Sequence, residues 1–232
     1  MNTKYLLLWL EAPLQSWGID SKYYVRDTLP FPSRSGILGL LLSGAGKFGE
    51  QKQLLKLMSN YSQTIFSFSK TGRPNSILTD FHMIGSGYND KDSWENLMIP
   101  KTSLGKKAAG GSGPKITYRK YIEDGYFAVI IEIPEDKEDL FVNGLKYPEG
   151  ELSLGKRCCI PTDFIFQGSF DAEDAAINKM YKIAKDKDLK KILTVVDGAL
   201  EDNMEVLTVS DVPIQFGENK IYSQRQITII RE

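Results

Sequence analysis

Residues 32–46 read PSRSGILGLLLSGAG and lead directly into Lys47. A serine just before an apolar run is a typical start of a helix, because its hydroxyl can cap the free amides of the first turn. Glycines at positions 44 and 46 are typical of a helix end. The stretch therefore predicts a short helix over about 33–42, with the leucines 38 and 40–42 in the core.

The glycines and the lysine also suggest a phosphate-binding loop. A nucleotide-hydrolysing loop needs a glycine, four further residues and then Gly-Lys-Ser/Thr, since the lysine reaches the phosphates and the hydroxyl binds magnesium. Gly46 and Lys47 fit, but Phe48 stands in the hydroxyl position and Leu41 in that of the first glycine. The sequence excludes a loop of this kind.

The start of the helix keeps a weaker anion-binding signal. Ser33, Arg34 and Ser35 stand where free amides and the helix dipole favour a phosphate. An arginine can add a two-pronged contact to the same group. Serine capping, with Arg34 as a surface charge, is the alternative, and these residues alone do not decide between the two.

The composition is that of an ordinary globular protein. The 232 residues are 41% hydrophobic and 25% charged, with a formal charge of −1. No apolar run approaches the roughly 20 residues that a membrane span needs. Cysteine occurs only as the adjacent pair Cys158 and Cys159, which excludes a disulfide framework and a cysteine-rich metal site. We expect a cytoplasmic protein without membrane contact, metal or cofactor.

The hydrophobic pattern predicts both strands and helices. Strands are expected at 4–10, 64–69, 76–84, 115–121, 126–133, 191–196, 205–209 and 226–230, and helices at 33–42, 51–58, 136–145 and 171–185. Strands 115–121 and 126–133 are predicted to form a hairpin that turns at Gly125. The order β-α-β-β, then α and more β, favours an α+β fold of the ferredoxin-like kind.

A long segment at 85–113 is rich in Gly, Ser, Asn, Asp and Lys, which is typical of a functional arm or a disordered loop. Basic residues without an acidic neighbour run through this segment and the strand after it: Lys101, Lys106, Lys107, Lys115, Arg119 and Lys120. Such a patch on a nearly neutral chain suits local contact with a polyanion. A solvated flexible loop is the alternative.

Aromatic residues accompany the basic ones. Tyr118 and Tyr121 lie on either side of Arg119, and Trp17 precedes Arg26. Single-stranded RNA is commonly held by such mixtures, with bases stacked on rings and phosphates paired with cations. Aromatic residues in a strand are equally common in a half-buried core.

Candidates for catalysis are few. His82 is the only histidine, so acid–base catalysis or a multi-histidine metal site would depend on it. A single histidine at a strand end is more often structural or exposed. Cys158 and Cys159 have no second histidine with which to form a dyad, and packing is the favoured role. We expect a protein that is not an enzyme.

Five segments occur in order and at suitable spacing: LEAPLQSWG (10–18), FPSRSGILGLL (31–41), DFH (80–82), TYRKYIED (117–124) and LGKRCCIP (154–161). As a set they resemble the CasD (Cas-five) family, a subunit of the type I-E CRISPR surveillance complex Cascade. The resemblance covers most of the chain to about Gly168. Beyond that it is looser and rests on a final strand around Arg225.

This resemblance implies a ferredoxin-like (RRM-like, RAMP-type) core at 1–84 and 114–150, an inserted thumb hairpin or loop at 85–113, and a small C-terminal β region at 151–232. It implies a non-catalytic subunit that binds and caps the 5′ handle of the CRISPR RNA. The expected partners are that RNA, the backbone and large subunits of Cascade and, through the complex, target DNA in antiviral defence.

Residues expected to contact RNA come from the matched segments and the basic patch. They are Gln15, Trp17, Arg26, Ser33, Arg34, Ser35, Lys101, Lys106, Lys107, Lys115, Tyr118, Arg119, Lys156 and Arg157. Two alternatives stay open. One is a repeat-specific endoribonuclease that processes CRISPR RNA, as a related subunit does in some other CRISPR systems, with His82 as its base. The other is a protein scaffold whose basic residues serve subunit contacts.

Overall fold

The computed structural model describes residues 2–18, 24–84, 91–94, 115–200 and 205–232. Its strands are β1 (Thr3–Gln15), β2 (Val25–Arg26), β3 (Gln63–Ser69), β4 (Ile77–Ile84), β5 (Lys115–Pro134), β6 (Phe166–Phe170), β7 (Lys190–Asp197), β8 (Glu205–Gln215) and β9 (Ile221–Arg231). Its helices are α1 (Arg34–Gly44), α2 (Lys52–Met58), α3 (Glu138–Lys146) and α4 (Glu173–Asp186), and a 3₁₀ turn at Glu135–Lys137 precedes α3. The prediction of a mixed α and β fold is confirmed.

All of these strands join one sheet in the order β6-β1-β5-β3-β7-β9-β8, with β2 and β4 pairing with the first half of β5. Neighbouring strands run antiparallel, except β2, which is parallel to β5. The C-terminal strands β7 to β9 continue the same sheet; the predicted domain boundary at residue 150 stays a prediction. No helix in the described part of the chain is long and apolar enough to cross a membrane.

Strand β1 lies at the centre of the fold because it is apolar on both faces. Leu6, Leu8 and Leu10 belong to the cluster beneath α1, α2 and α3. Leu7 and Trp9 belong to a second cluster with α4 on the opposite face. A continuous apolar run is what a strand covered on both faces requires. The five consecutive residues 6–10 are fully buried, so this part of the sheet lies between α1, α2 and α3 on one face and α4 on the other.

Helix α1 begins and ends as its sequence predicts. The Ser33 hydroxyl accepts the N–H of Gly36 at 3.2 Å, and the helix ends at Gly44. Gly44 also allows a close approach to α3, because a Cβ there would lie 2.5 Å from the carbonyl oxygen of Gly144. The small residues therefore fix α1 against α3 as well as ending it.

The predicted hairpin at Gly125 is wrong. β5 runs unbroken from Lys115 to Pro134, and its whole C-terminal half pairs with β1. Gly125 provides space: a Cβ there would lie 2.8 Å from the Phe127 ring and 3.0 Å from the side chain of Gln15. Sequence patterns cannot distinguish a glycine that turns the chain from one that admits a neighbouring side chain. The predicted thumb, 85–113, lies outside the described residues except for 91–94.

Candidate nucleic-acid interface

A groove of about 570 Å³ opens beside the start of α1. Its walls come from the end of β1, the first turns of α1, the α1–α2 loop, the loop at 151–157 and the β8–β9 turn. Four residues expected to contact RNA line it: Trp17, Ser33, Ser35 and Arg157. We call this cavity the α1 groove. It is the place where the structure brings the largest share of the predicted site together.

Trp17 lines one wall of the groove, and Gln15 supports the Trp17 side chain from the interior of the fold. Both side chains are fully buried. The indole N–H of Trp17 donates to Oε1 of Gln15 at 3.1 Å, and the Gln15 amide donates to the carbonyl oxygen of Gly125 at 2.7 Å. The Trp17 ring fills the space beside Gly36, where a Cβ would lie 2.6 Å away. Their contact with RNA stays a prediction; their visible role is to hold β1, β5 and α1 together.

Arg34 is neither a surface charge nor part of the groove lining. Its side chain is 3% exposed. Nη1 lies 3.1 Å from Oδ2 of Asp197, and Nη2 donates to the carbonyl oxygens of Met58, at 2.8 Å, and Tyr61. Burial lowers the pKa of Arg34, although Asp197 acts in the opposite direction. The guanidinium is engaged inside the fold, where it ties α1 to the end of α2 and to β7.

The anion at the start of α1 is a carboxylate of the chain itself. The backbone N–H of Arg34 donates to Oδ2 of Asp211 at 2.7 Å, while Ser33 takes the N–H of Gly36. Asp211 is buried on β8 and also accepts from Arg225, with Nε 2.7 Å from Oδ1 and Nη2 2.9 Å from Oδ2. The structure thus corrects the expectation that the amide of Arg34 is open to a phosphate, since Asp211 already occupies it.

Arg225 completes this buried network. Besides Asp211, its Nη1 contacts Oδ1 of Asp197, the residue that also pairs with Arg34. Burial acts to lower the pKa of Arg225, but the hydrogen bonds and charges of Asp211 and Asp197 raise it above its ordinary value. Two arginines and two aspartates therefore join β7, β8 and β9 to the start of α1.

In the loop at 154–157, the neighbouring residues Lys156 and Arg157, both expected to contact RNA, point in different directions. Gly155 adopts a φ of +93°, and a Cβ there would lie 1.8 Å from the carbonyl oxygen of Ser16, so the loop lies directly on the end of β1. This turn places exposed Arg157 in the α1 groove. Lys156 points elsewhere: its Nζ lies 4.1 Å from the ring centroid of Tyr121, and burial lowers its pKa. Of the two, Arg157 is available to a ligand in the groove.

Tyr118, Arg119 and Arg26 lie together in a second region, on β2 and the first half of β5. Tyr118 packs edge-to-face on Phe81 of β4, with ring centroids 5.6 Å apart, and both rings are exposed. Strand β2 places Arg26 beside Arg119 in the register. Side chains of successive residues point to opposite faces of a sheet, so Tyr118 and Arg119 do not face the same ligand. Lys101, Lys106, Lys107 and the side chain of Lys115 lie outside the described residues.

The catalytic candidates remain isolated in the described part of the chain. Nδ1 of His82 lies 3.8 Å from Oδ2 of Asp80, and both side chains are partly exposed. Burial raises the pKa of the Cys159 thiol to about 12, so it is an unreactive buried thiol. The residues described contain no cluster of three or more His, Cys, Asp and Glu that could hold a metal ion.

The α1 groove also contains residues that the sequence did not suggest. Phe48 lines it from the α1–α2 loop, Lys220 from the β8–β9 turn and Tyr222 from the start of β9. The glycine and polar residues at 217–220 are a recognisable turn signal between two strands. The sequence of the turn does not show that it faces the α1 groove, because this depends on how the β8–β9 edge of the sheet packs on the rest of the fold.

Comparisons with known proteins agree with one another. The family described as "CRISPR-associated protein (Cas_Cas5)" matches residues 5–228. The CRISPR system Cascade subunit CasD of Escherichia coli (strain K12) is 27% identical over 181 residues, covering 73% of this chain and 73% of that protein. The matched region thus extends well past residue 168, where the sequence resemblance became looser.

Two solved structures share the fold over almost the whole chain. A chain of a CRISPR RNA-guided surveillance complex superimposes with a TM-score of 0.73 at 24% identity, covering 98% of this chain and 89% of its own. A chain described as "Crystal structure of Cas protein" gives a TM-score of 0.56 at 18% identity, covering 98% and 94%. These likenesses include the C-terminal strands as well as the first part of the chain.

Proposed function

This chain belongs to the Cas5 family of CRISPR-associated proteins, and we propose that it is a non-catalytic subunit of a type I-E surveillance complex, Cascade, in the cytoplasm. In this proposal it binds and caps the 5′ handle of the CRISPR RNA and bridges the backbone and large subunits, which reach target DNA for antiviral defence. The observation that carries the RNA assignment is the α1 groove, where exposed Arg157 and half-buried Ser35 face a cavity beside α1.

The strand order supports the ferredoxin-like, RRM-like core that the proposal requires. Strands β6-β1-β5-β3 are consecutive in the sheet. In the chain, α1 and α2 lie between β1 and β3, and α3 lies between β5 and β6. This order agrees with that of a split β-α-β fold, in which both connections cross one face of the sheet. RNA-binding domains of this architecture hold unpaired nucleotides rather than a regular duplex.

Within the groove, the described side chains can divide the work of holding a single strand. Arg157 is the cation positioned to pair with a backbone phosphate, and the planar guanidinium suits that contact. The Ser35 hydroxyl can donate to a phosphate or sugar oxygen. Gly18 also lines the groove, and nothing lies within 4 Å of where its Cβ would be, so the RNA backbone can approach the protein main chain closely there. Because Asp211 occupies the amide of Arg34, we assign the anion contact to these side chains rather than to the whole helix terminus.

The second region, on β2 and the first half of β5, extends the proposal toward the thumb. Arg119 and Arg26 lie side by side there, and exposed Tyr118 and Phe81 lie on the opposite face of the strands. We propose that the arginines follow the RNA backbone out of the core. The apolar face with Tyr118 suits contact with a neighbouring subunit, since exposed apolar patches commonly mark protein interfaces.

Binding of labelled handle RNA to the purified full chain, measured by anisotropy over a series of salt concentrations, tests the proposal. Arg157→Gln should weaken binding and reduce the salt slope by about 0.7, the value for one phosphate contact on a single strand. The matched control is Arg73→Gln, at an exposed arginine that does not line the groove. Equal binding and equal slopes for wild type and Arg157→Gln would remove Arg157 from the RNA site.

The same RNA also tests the non-catalytic assignment. Incubation without metal should leave the repeat RNA intact. Site-specific cleavage that is abolished by His82→Ala would show an endoribonuclease instead, because His82 is the only histidine in the chain.

A further inference from the structure

Two exposed aromatic rings line the α1 groove from segments that are distant in sequence. Phe48 follows α1 and is 63% exposed, while Tyr222 lies near the start of β9 and is 40% exposed. Aromatic rings bury large areas when they pack, so two rings left exposed in one cavity are unusual for a purely structural role. Among the described residues, neither ring is paired with another aromatic ring.

The segments that carry the two rings are bonded to each other. The backbone N–H of Phe216 donates to the carbonyl oxygen of Glu50 at 3.0 Å, and the Gln215 amide donates to Oε1 of Glu50 at 3.2 Å. Gly217, with a φ of +81°, packs its backbone against Gly49. The β8–β9 turn is therefore docked on the α1–α2 loop. Such docking fixes the separation of Phe48 and Tyr222 before any ligand arrives, which reduces the entropic cost of binding.

Charge surrounds the rings in the same cavity. Exposed Lys220 and Arg157 line the groove with one carboxylate, Glu151, and with the hydroxyl groups of serines. Cations suit the phosphates of a single strand, and every base offers a π face to an aromatic ring. A neutral apolar ligand would not account for the two cations. An acidic protein segment would not account for the two exposed rings.

We propose that Phe48 and Tyr222 form a stacking site for one unpaired base of the bound RNA, and that Lys220 contacts an adjacent phosphate. This inference rests on the proposed RNA-binding function and extends it to the C-terminal β region. It makes the β8–β9 turn a part of the RNA site. The other cation of the site is Arg157, in the loop at 151–157.

Substitution of each ring is the first test, with the full chain and a labelled single-stranded RNA octamer. Phe48→Ala and Tyr222→Ala should each weaken binding by roughly 5- to 150-fold, the range for loss of one base stack. Phe48→Tyr and Tyr222→Phe keep an aromatic ring, so these variants should bind RNA nearly as tightly as wild type. The salt slope should stay unchanged in the ring variants, whereas Lys220→Gln should reduce it by about 0.7. Phe164→Ala and Tyr147→Ala remove strongly exposed aromatic rings outside the groove and serve as matched controls.

A second measurement detects stacking directly, through a fluorescent base in the RNA. The octamer is prepared with 2-aminopurine at each position in turn, and stacking should quench its fluorescence at one position on the wild-type chain. Quenching at that position should disappear with Tyr222→Ala and Phe48→Ala.

The outcomes separate this inference from the function on which it rests. If the wild type binds RNA and Arg157→Gln weakens it, but the ring variants bind normally and no position is quenched, the stacking site is wrong and the RNA function stands. If the wild type does not bind the octamer, the proposed function fails and the stacking site with it. If the ring variants bind RNA normally but lose a Cascade subunit from the assembled complex, the rings serve a protein interface and the inference is overturned.

Discussion

The carboxylate of Asp211, on β8, lies 2.7 Å from the backbone nitrogen of Arg34 and so closes the start of α1. The two residues are 177 positions apart in the chain, and Arg225 holds the same carboxylate from β9. The negative charge of Asp211 offsets the positive end of the helix dipole, so the start of α1 attracts a phosphate only weakly. The proposed binding of a phosphate in the α1 groove must therefore depend on side chains around the helix.

Asp211→Ala is expected to lower the free energy of unfolding by about 3–5 kcal/mol, since removing one member of a buried ion pair leaves Arg225 uncompensated. Urea unfolding followed by circular dichroism measures this. Asp136→Asn changes an exposed aspartate and should stay within about 0.5 kcal/mol of wild type. Equal urea midpoints for Asp211→Ala and wild type would contradict a structural role for the network.

Arg34→Lys distinguishes the buried role of Arg34 from a direct RNA contact. Lysine keeps the charge but cannot reach Asp197, Met58 and Tyr61 with one planar group, so stability should fall by about 1–3 kcal/mol. At temperatures where the variant is folded, its affinity for RNA should equal that of wild type. Weaker RNA binding with unchanged stability would instead show that the planar guanidinium of Arg34 contacts a phosphate, since lysine keeps the charge but not that two-pronged contact.

Gly155→Ala should damage both stability and RNA binding. The new methyl group would meet the carbonyl oxygen of Ser16, and alanine is strained at a φ of +93°. We expect a loss of about 1–3 kcal/mol or more, with weaker RNA binding because Arg157 would shift with the loop. Gly198→Ala is a matched control: its φ is +87°, but nothing lies within 4 Å of the added carbon, so strain acts there alone. If both variants lose the same stability, the contact with Ser16 contributes nothing.

The buried thiol of Cys159 predicts a loss of stability at alkaline pH. Its pKa in the folded chain, about 12, lies above the ordinary value of 9.0, mainly because of burial. The folded state therefore keeps a proton that the unfolded state releases, and stability is complete below about pH 9 and declines as the pH rises toward 12. The free energy of unfolding from urea titrations between about pH 8 and 10.5 should fall by up to about 1.4 kcal/mol per pH unit more in wild type than in Cys159→Ala.

The control for this pH dependence is Cys158→Ser, at the exposed neighbouring thiol, which should keep the alkaline decline. Reaction with a thiol reagent gives an independent check. Native protein should expose one reactive thiol, that of Cys158, and urea should expose both. Identical alkaline slopes in wild type and Cys159→Ala would contradict the assignment.

Local pattern was sufficient for the four helices and most of the strands, because it reports burial within one segment, but it missed β2 and β6. The apolar run of β1 and the serine before α1 both predicted what the structure has. Pattern failed at Gly125, where the space is needed by Gln15 and Phe127 from the paired strands. It also failed at Arg34, whose partner Asp197 lies 163 residues away. Contacts between residues so far apart in sequence depend on the order of the strands in the sheet, and the pattern of one segment does not determine that order.

The same separation explains what was missed in the candidate site. Ser35 and Arg157 were accessible to prediction because short motifs contain them. Phe48, Lys220 and Tyr222 line the groove only because the β8–β9 turn docks on Glu50. A tyrosine near the start of a strand carries no local sign of the cavity that it faces.

The docked turn also has a consequence for biosynthesis. Residues near position 34 leave the ribosome early, but Asp211 and Arg225, which complete the start of α1, and Tyr222, which lines the groove, are made at least 177 residues later. Synthesis proceeds at about 5–20 residues per second, so the growing chain spends on the order of ten seconds with an α1 that is not yet capped by Asp211. The complete groove, and with it any binding that depends on the groove, therefore forms only after residue 225 has been translated.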